Sequence, residues 1–169
     1  MSIALKAAQE CCKFLIEKQD MKEKVLDFEQ NPLLTYRIKS DKVRDFSCLE
    51  MRSVAESLMI WSYCLESEIS TKKVSTITKK ITKVQYQTEV LTICNLYLLA
   101  IELCIPSESW DLSKRVMFEM FNILTDFFNE KTQSKILLQI LIKMHLCISL
   151  IPENYWDDNL RKLSAKLSY

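Results

Sequence analysis

"VLTICNLYLLAIELCIPSESWD", residues 90–111, decides the fold. Wound as a helix, residues 90–105 carry apolar side chains on every side, with Glu102 as the lone charge and Pro106 as the stop. A helix that is apolar all round is buried all round. Residues 90–105 are therefore expected in the middle of the structure, with other helices laid around them. Sixteen residues fall short of the roughly 20 that a membrane span needs. The same count and one lysine, Lys143, apply to residues 136–151, so both are read as buried helices and no span is expected.

That second stretch, "ILLQILIKMHLCISLIPENYWDD" at 136–158, repeats the first at an offset of 46 residues. Val90 and Leu91 match Ile136 and Leu137, and Cys94, Leu96, Leu98, Ala100 and Cys104 match Ile140, Ile142, Met144, Leu146 and Leu150. Downstream, Trp110-Asp111 matches Trp156-Asp157, and Arg115 matches Arg161. The unit reads as buried helix, Ile-Pro stop, polar cap, then Trp-Asp opening the next helix. Proline lacks an N–H and clashes with the preceding turn, so it separates two helices. An Asp in a first turn complements the positive end of the helix dipole. A Trp there folds over the corner and buries much of its ring. Offsets of about 40–47 residues are those of HEAT and armadillo repeats. The expected fold is all-α with about six helices, either stacked antiparallel hairpins of that kind or an irregular bundle. Residues 1–169 form one domain, with a repeat unit over 90–151 and a partial second copy over 136–169.

The chain has 169 residues and no glycine, against about 7% in average usage. Glycine supplies positive φ and close backbone approach. Without it, tight primed hairpins, phosphate-cradling loops and a G-x-S-x-G nucleophile elbow are excluded as expectations. Hydrophobic residues make up 49% and charged residues 27%, with a formal charge of +1. That is an ordinary globular composition without a global field to draw in nucleic acid or an anionic membrane.

Outside the decisive stretch, Ala4, Ala8, Cys11 and Leu15 mark one face of a first helix over 2–28, kinked near Gln19 and Asp20. Residues 30–41, with Pro32, form a connection. A second helix starts near Ser40 or Asp41 and ends near Glu68, carrying Met51, Val54, Leu58, Trp61 and Leu65. Residues 70–83 are a loop running into the central helix. Met117, Phe121, Leu124 and Phe128 stripe a helix over 108–128, and a last helix from Tyr155 carries Trp156, Leu160, Leu163 and Leu167.

Seven cysteines, odd in number and without a C-x-x-C pair, together with the single His145, make no usual zinc set. They read as small core residues of a reducing compartment, nuclear or cytoplasmic. His145, inside an apolar helix, reads as a hydrogen-bonded core histidine. Glu66 and Glu68, at the end of a helix, read as solvated. No nucleophile and base are paired by spacing, so neither an enzyme nor a cofactor is expected. Lys72, Lys73, Lys79, Lys80 and Lys83 stand in an acid-free window and form a candidate patch for an acidic protein or for nucleic acid. Leu160, Leu163 and Leu167 form a candidate partner-facing stripe, exposed if the chain is a fragment of a longer protein. The leading expectation is a non-enzymatic protein-interaction module or scaffold subunit. One alternative is a nucleic-acid binder using 72–83. Another is a helix-in-groove regulator of the viral death-inhibitor type, although the Asn-Trp-Gly-Arg-like motif of that family is absent.

Overall fold

The computed structural model describes residues 3–18, 22–24, 36–38, 46–74, 83–129 and 135–168. Six α-helices appear among them: α1 Ile3–Lys18, α2 Cys48–Val74, α3 Lys83–Cys104, α4 Trp110–Asn129, α5 Lys135–Ser149 and α6 Asp158–Leu167. The all-α class holds. It carries one small addition, a ribbon in which β1 (Lys22–Lys24) pairs antiparallel with β2 (Tyr36–Ile38), Glu23 opposite Arg37.

The first helix is shorter than its expected span of 2–28. It ends at Lys18, and strand β1 follows three residues later. Residues 19–21, where a kink was expected, lie outside the described residues. Val25 and Phe28 lie outside the described residues. Strand β2 falls within the expected connection, at a Tyr-Arg-Ile triplet suited to a pleated, half-buried surface.

Helix α2 starts later than expected and ends later. Its start is a capping box: Ser47 Oγ accepts from the Glu50 N–H at 3.2 Å, while the Glu50 carboxylate accepts from the Ser47 N–H at 2.9 Å. At the far end the helix passes Glu68 and continues to Val74. The Thr71 hydroxyl turns back onto the Ser67 and Glu68 carbonyls at 2.8 and 2.9 Å, so a residue expected to open a loop is accommodated in the helix.

Helix α3 is the axle. Val90, Ile93, Cys94, Leu96 through Ile101, Leu103 and Cys104 are all buried, and α2 and α4 pack along it. Over residues 85–104 it is 20 residues long with mean hydropathy 1.2, long and apolar enough by composition to cross a membrane, yet 61% of that window is buried inside the fold. Its apolar surface is covered by neighbouring helices, as expected of 90–105. Helix α1 lies on α2 through Ala8 and Cys12.

The turn from α3 into α4 shows how the chain reverses without glycine. The Ser109 N–H reaches the Cys104 carbonyl at 2.9 Å and the Glu108 N–H reaches the Ile105 carbonyl at 3.1 Å. This is the paired bonding of a Schellman cap, whose left-handed position is usually glycine. Here it is Glu108, at φ 52°. A residue with a Cβ costs roughly 1–2 kcal/mol in that region. Glycine would relieve this but lose about 0.4–1 kcal/mol to its freer unfolded chain. Glu108→Gly is therefore expected to stabilise the fold by about 0.5–1 kcal/mol, raising the melting temperature by about 1–4 °C. Thermal unfolding of the variant checks this, and an unchanged or lowered midpoint contradicts it.

The second Ile-Pro corner is built differently. Leu150 and Ile151 close it through short bonds to the Cys147 and Ile148 carbonyls, and a 3₁₀ turn over Glu153–Tyr155 leads into α6. The Trp156 indole donates to the Ile151 carbonyl at 2.8 Å, folding the ring across the corner, and Asp157 caps α6 by accepting from the Leu160 N–H at 2.8 Å. Trp110, by contrast, is itself the first residue of α4, with Asp111 in the first turn.

Matched letters do not share burial either. Leu96, Ala100 and Cys104 are buried, whereas Ile142, Leu146 and Leu150 at the same offset are 50%, 56% and 57% exposed. The two motifs instead meet in space. Lys114 on α4 bridges Asp111 at 3.2 Å and Asp157 at 3.3 Å and also donates to the Tyr155 carbonyl, while the Trp110 and Tyr155 rings lie 6.3 Å apart.

Asp157 carries a lowered carboxyl pKa, chiefly because the Leu160 N–H stabilises its anion, with Lys114 adding to this against some desolvation. A depressed folded value means stabilisation that is present above the ordinary value of 3.8 and lost as pH falls through the lowered one. The carboxylate is half exposed, so the cap outweighs the solvent-screened ion pair. Asp157→Ala is expected to lose about 1 kcal/mol at neutral pH. Its stability deficit relative to the parent should shrink in acid below the ordinary carboxylate range. Urea titrations at both pH values test this, and a deficit that is constant with pH would show that the charge has no part in the cap.

Candidate functional site

Helix α5 expresses its pattern on one side only. Leu137, Ile140, Met144 and Ile148 are buried against the core. The opposite side presents Leu138, Ile142, Leu146 and Leu150, the last just past the helix end, with exposures of 58%, 50%, 56% and 57%. Residues four apart lie 40° apart on a helix, so these four form one inclined row of the kind that makes a packing ridge. This corrects the expectation that 136–151 is buried on every side. His145 is likewise exposed, on the same side as the row, and is no core histidine. The physical reason lies in the neighbours. α3 is enclosed by α2 and α4, while α5 stands beyond it and shares its chief contact with the short α6. Lys143, beside the row, pairs with Glu102 on α3 at 3.3 Å.

The stripe Leu160, Leu163 and Leu167 does not face outward. Leu160 and Leu163 are 0% and 2% exposed within the core, and Leu167 packs against it. α6 also sets Lys166 over the Phe121 ring of α4 at 5.5 Å. A narrow apolar stripe on a short, highly charged helix is enough for an edge element, and here it closes the bundle. Of the lysine window, Lys79 and Lys80 lie outside the described residues. Lys72 and Lys73 are placed as backbone in the last turn of α2, and Lys83 as the first residue of α3.

A polar seam that sequence spacing did not reveal runs between α2, α3 and α4. The Tyr63 phenol lies beside Glu119 and Arg115 of α4, and the Arg115 guanidinium sits 6.0 Å from the Tyr63 ring centre. Burial, then the Glu119 carboxylate, raise the Tyr63 phenol. Glu66 is also raised, first by burial and then by the charge of Glu119, so it is not the solvated carboxylate its sequence position suggested. The Tyr97 ring meets Tyr63 edge-on at 6.4 Å, and its fully buried hydroxyl has no hydrogen-bond partner among the described residues. Burial, with Glu66 next, keeps that phenol protonated.

A cleft of about 180 Å³ opens beside the seam, lined in part by Glu66, Tyr86 and Asn122, and another of about 150 Å³ lies at Leu65, Glu68 and Thr92. Both are smaller than the roughly 300 Å³ at which small-molecule sites begin. Among the described residues no three His, Cys, Asp or Glu side chains converge as metal ligands.

Protein-family models, curated proteins and solved structures were compared with the chain, and none of them matches it.

The cysteines follow the packing. Cys94 and Cys104 are buried and pushed up to about 12, chiefly by desolvation, and Cys147 to about 11, whereas Cys48 is exposed at the start of α2. At pH 8 the thiolate, the reactive form, is negligible at the first two. Maleimide labelling of the native protein is expected at Cys48 first and at Cys94 and Cys104 only after unfolding. Native labelling of either core thiol as fast as Cys48 contradicts the placement of α3.

Proposed function

We propose that the chain is a non-enzymatic protein-interaction module, a subunit that offers the outer face of α5 to another protein surface. The observation that supports this reading is the row Leu138, Ile142, Leu146 and Leu150, half to three-fifths exposed along a helix whose other face is fully packed. Contiguous exposed apolar surface on a folded chain is a contact site by default, because leaving it in water forgoes about 25 cal/mol for each Å². The row has the spacing by which one helix lies against another. The two clefts described beside the seam are small, which favours a contact surface over a substrate pocket.

A photo-reactive phenylalanine analogue at position 138 tests the reading in cells that make the protein. The expected result is covalent adducts to protein, greatly reduced by Leu146→Glu and not formed from the same analogue at Lys162 on exposed α6. Equal yields from 138 and 162, or yields indifferent to Leu146→Glu, would sink it.

A further inference from the structure

The chemistry of the α5 row indicates what covers it. Between Leu138 and Leu150 the exposed positions carry no formal charge, the polar ones being Gln139, His145 and Ser149. The one cation of that stretch, Lys143, is engaged by Glu102. A twofold contact sets a surface against its own copy, so any net charge near the axis meets its like and repels. Among the described residues, the exposed positions of this stretch have none to repel. A surface that selects a foreign helix ordinarily carries charges that reject the wrong partner, and the exposed positions from Leu138 to Leu150 carry none.

Geometry agrees with the chemistry. Rows of residues four apart on two identical helices interdigitate at a crossing angle near −50°, each leucine of one entering the groove between two leucines of the other. The four side chains are 50–58% exposed, and with Gln139, His145 and Ser149 beside them they make a small face of the size that serves weak association, below about 1,200 Å² in total.

We propose that the outer face of α5 is a self-association surface, and that the partner it fits is the same face of a second copy of this chain, in a weak twofold dimer. This rests on the reading of α5 as the contact face and goes on to name the partner. Such an interface, small and built on one helix per side, forms in the micromolar range.

The test is sedimentation equilibrium of the full chain between about 1 and about 300 µM, on the parent and two double variants. These are Ile142→Glu with Leu146→Glu, and Ile142→Lys with Leu146→Lys. Both positions are exposed and nearest the middle of the row, and circular dichroism with thermal unfolding confirms that each variant folds. The parent is expected to rise from its single-chain mass of 19.9 kDa toward twice that value. Each double variant alone should associate at least tenfold more weakly, and an equimolar mixture of the two should regain at least tenfold, because opposite charges then meet across the axis. A parent that stays at the single-chain mass throughout overturns the proposal, as does a dimer indifferent to both variants or a mixture that regains nothing. The photo-adducts from position 138 separate the two levels. Adducts to a different protein with a monomeric purified chain remove the second copy and keep the contact face, whereas no specific adducts and no dimer remove both.

Discussion

The structure depends on the enclosure of α3. From Val90 to Cys104 the helix turns apolar side chains in nearly every direction, and water can be kept from all of them only by surrounding the helix with others. That requirement sets the arrangement of the rest. α2 and α4 flank the axle, and α1 lies on α2. Each flanking helix needs only one apolar face, which is what the spacings in α2 and α4 supply.

Reversing direction without glycine is the second constraint, and the chain meets it in two ways. At the first corner the backbone adopts the left-handed conformation regardless, at Glu108, with both cap hydrogen bonds made. At the second it avoids that conformation with a 3₁₀ turn and ties the corner with the Trp156 indole. Lys114 then joins the two corners by holding one carboxylate from each Trp-Asp pair. The paired motif is thus a structural joint between the starts of α4 and α6, and its likeness at a fixed offset does not make the burial of the two halves alike.

Much of this was legible in the letters. The central position of residues 90–105, the apolar stripe of α2, the Met117 and Leu124 face of α4 and the corner role of the second tryptophan all follow from periodicity and proline placement, whereas Phe128, expected on that α4 face, is exposed. Several readings failed, two of them for reasons visible in the letters. The capping box was written plainly as Ser47-Cys48-Leu49-Glu50, but earlier polar residues at 40 and 41 offered the same chemistry, and local signals do not rank such rivals. In α5 the count of apolar residues hid their distribution. Gln139, His145 and Ser149 fall on one half of the helix and announce its outer side, while density alone suggested burial all round. The seam of Tyr63, Arg115 and Glu119 was beyond reach, since it is assembled from helices far apart in sequence and no spacing records it. Burial of Leu160 and Leu163 likewise depends on where α6 lands, which is a property of the whole fold.

The difference between α3 and α5 carries the functional reading. Two helices of similar composition have opposite fates, one sealed within the bundle and one left with a leucine row outside, and that row is what supports the proposed contact. Native-state hydrogen exchange tests the central claim most directly. If α3 is enclosed, amides from Val90 to Cys104 exchange only by global unfolding, and their opening free energy equals that from denaturant unfolding. Exchange of these amides by local opening, at free energies as low as those of the peripheral α6, would contradict it.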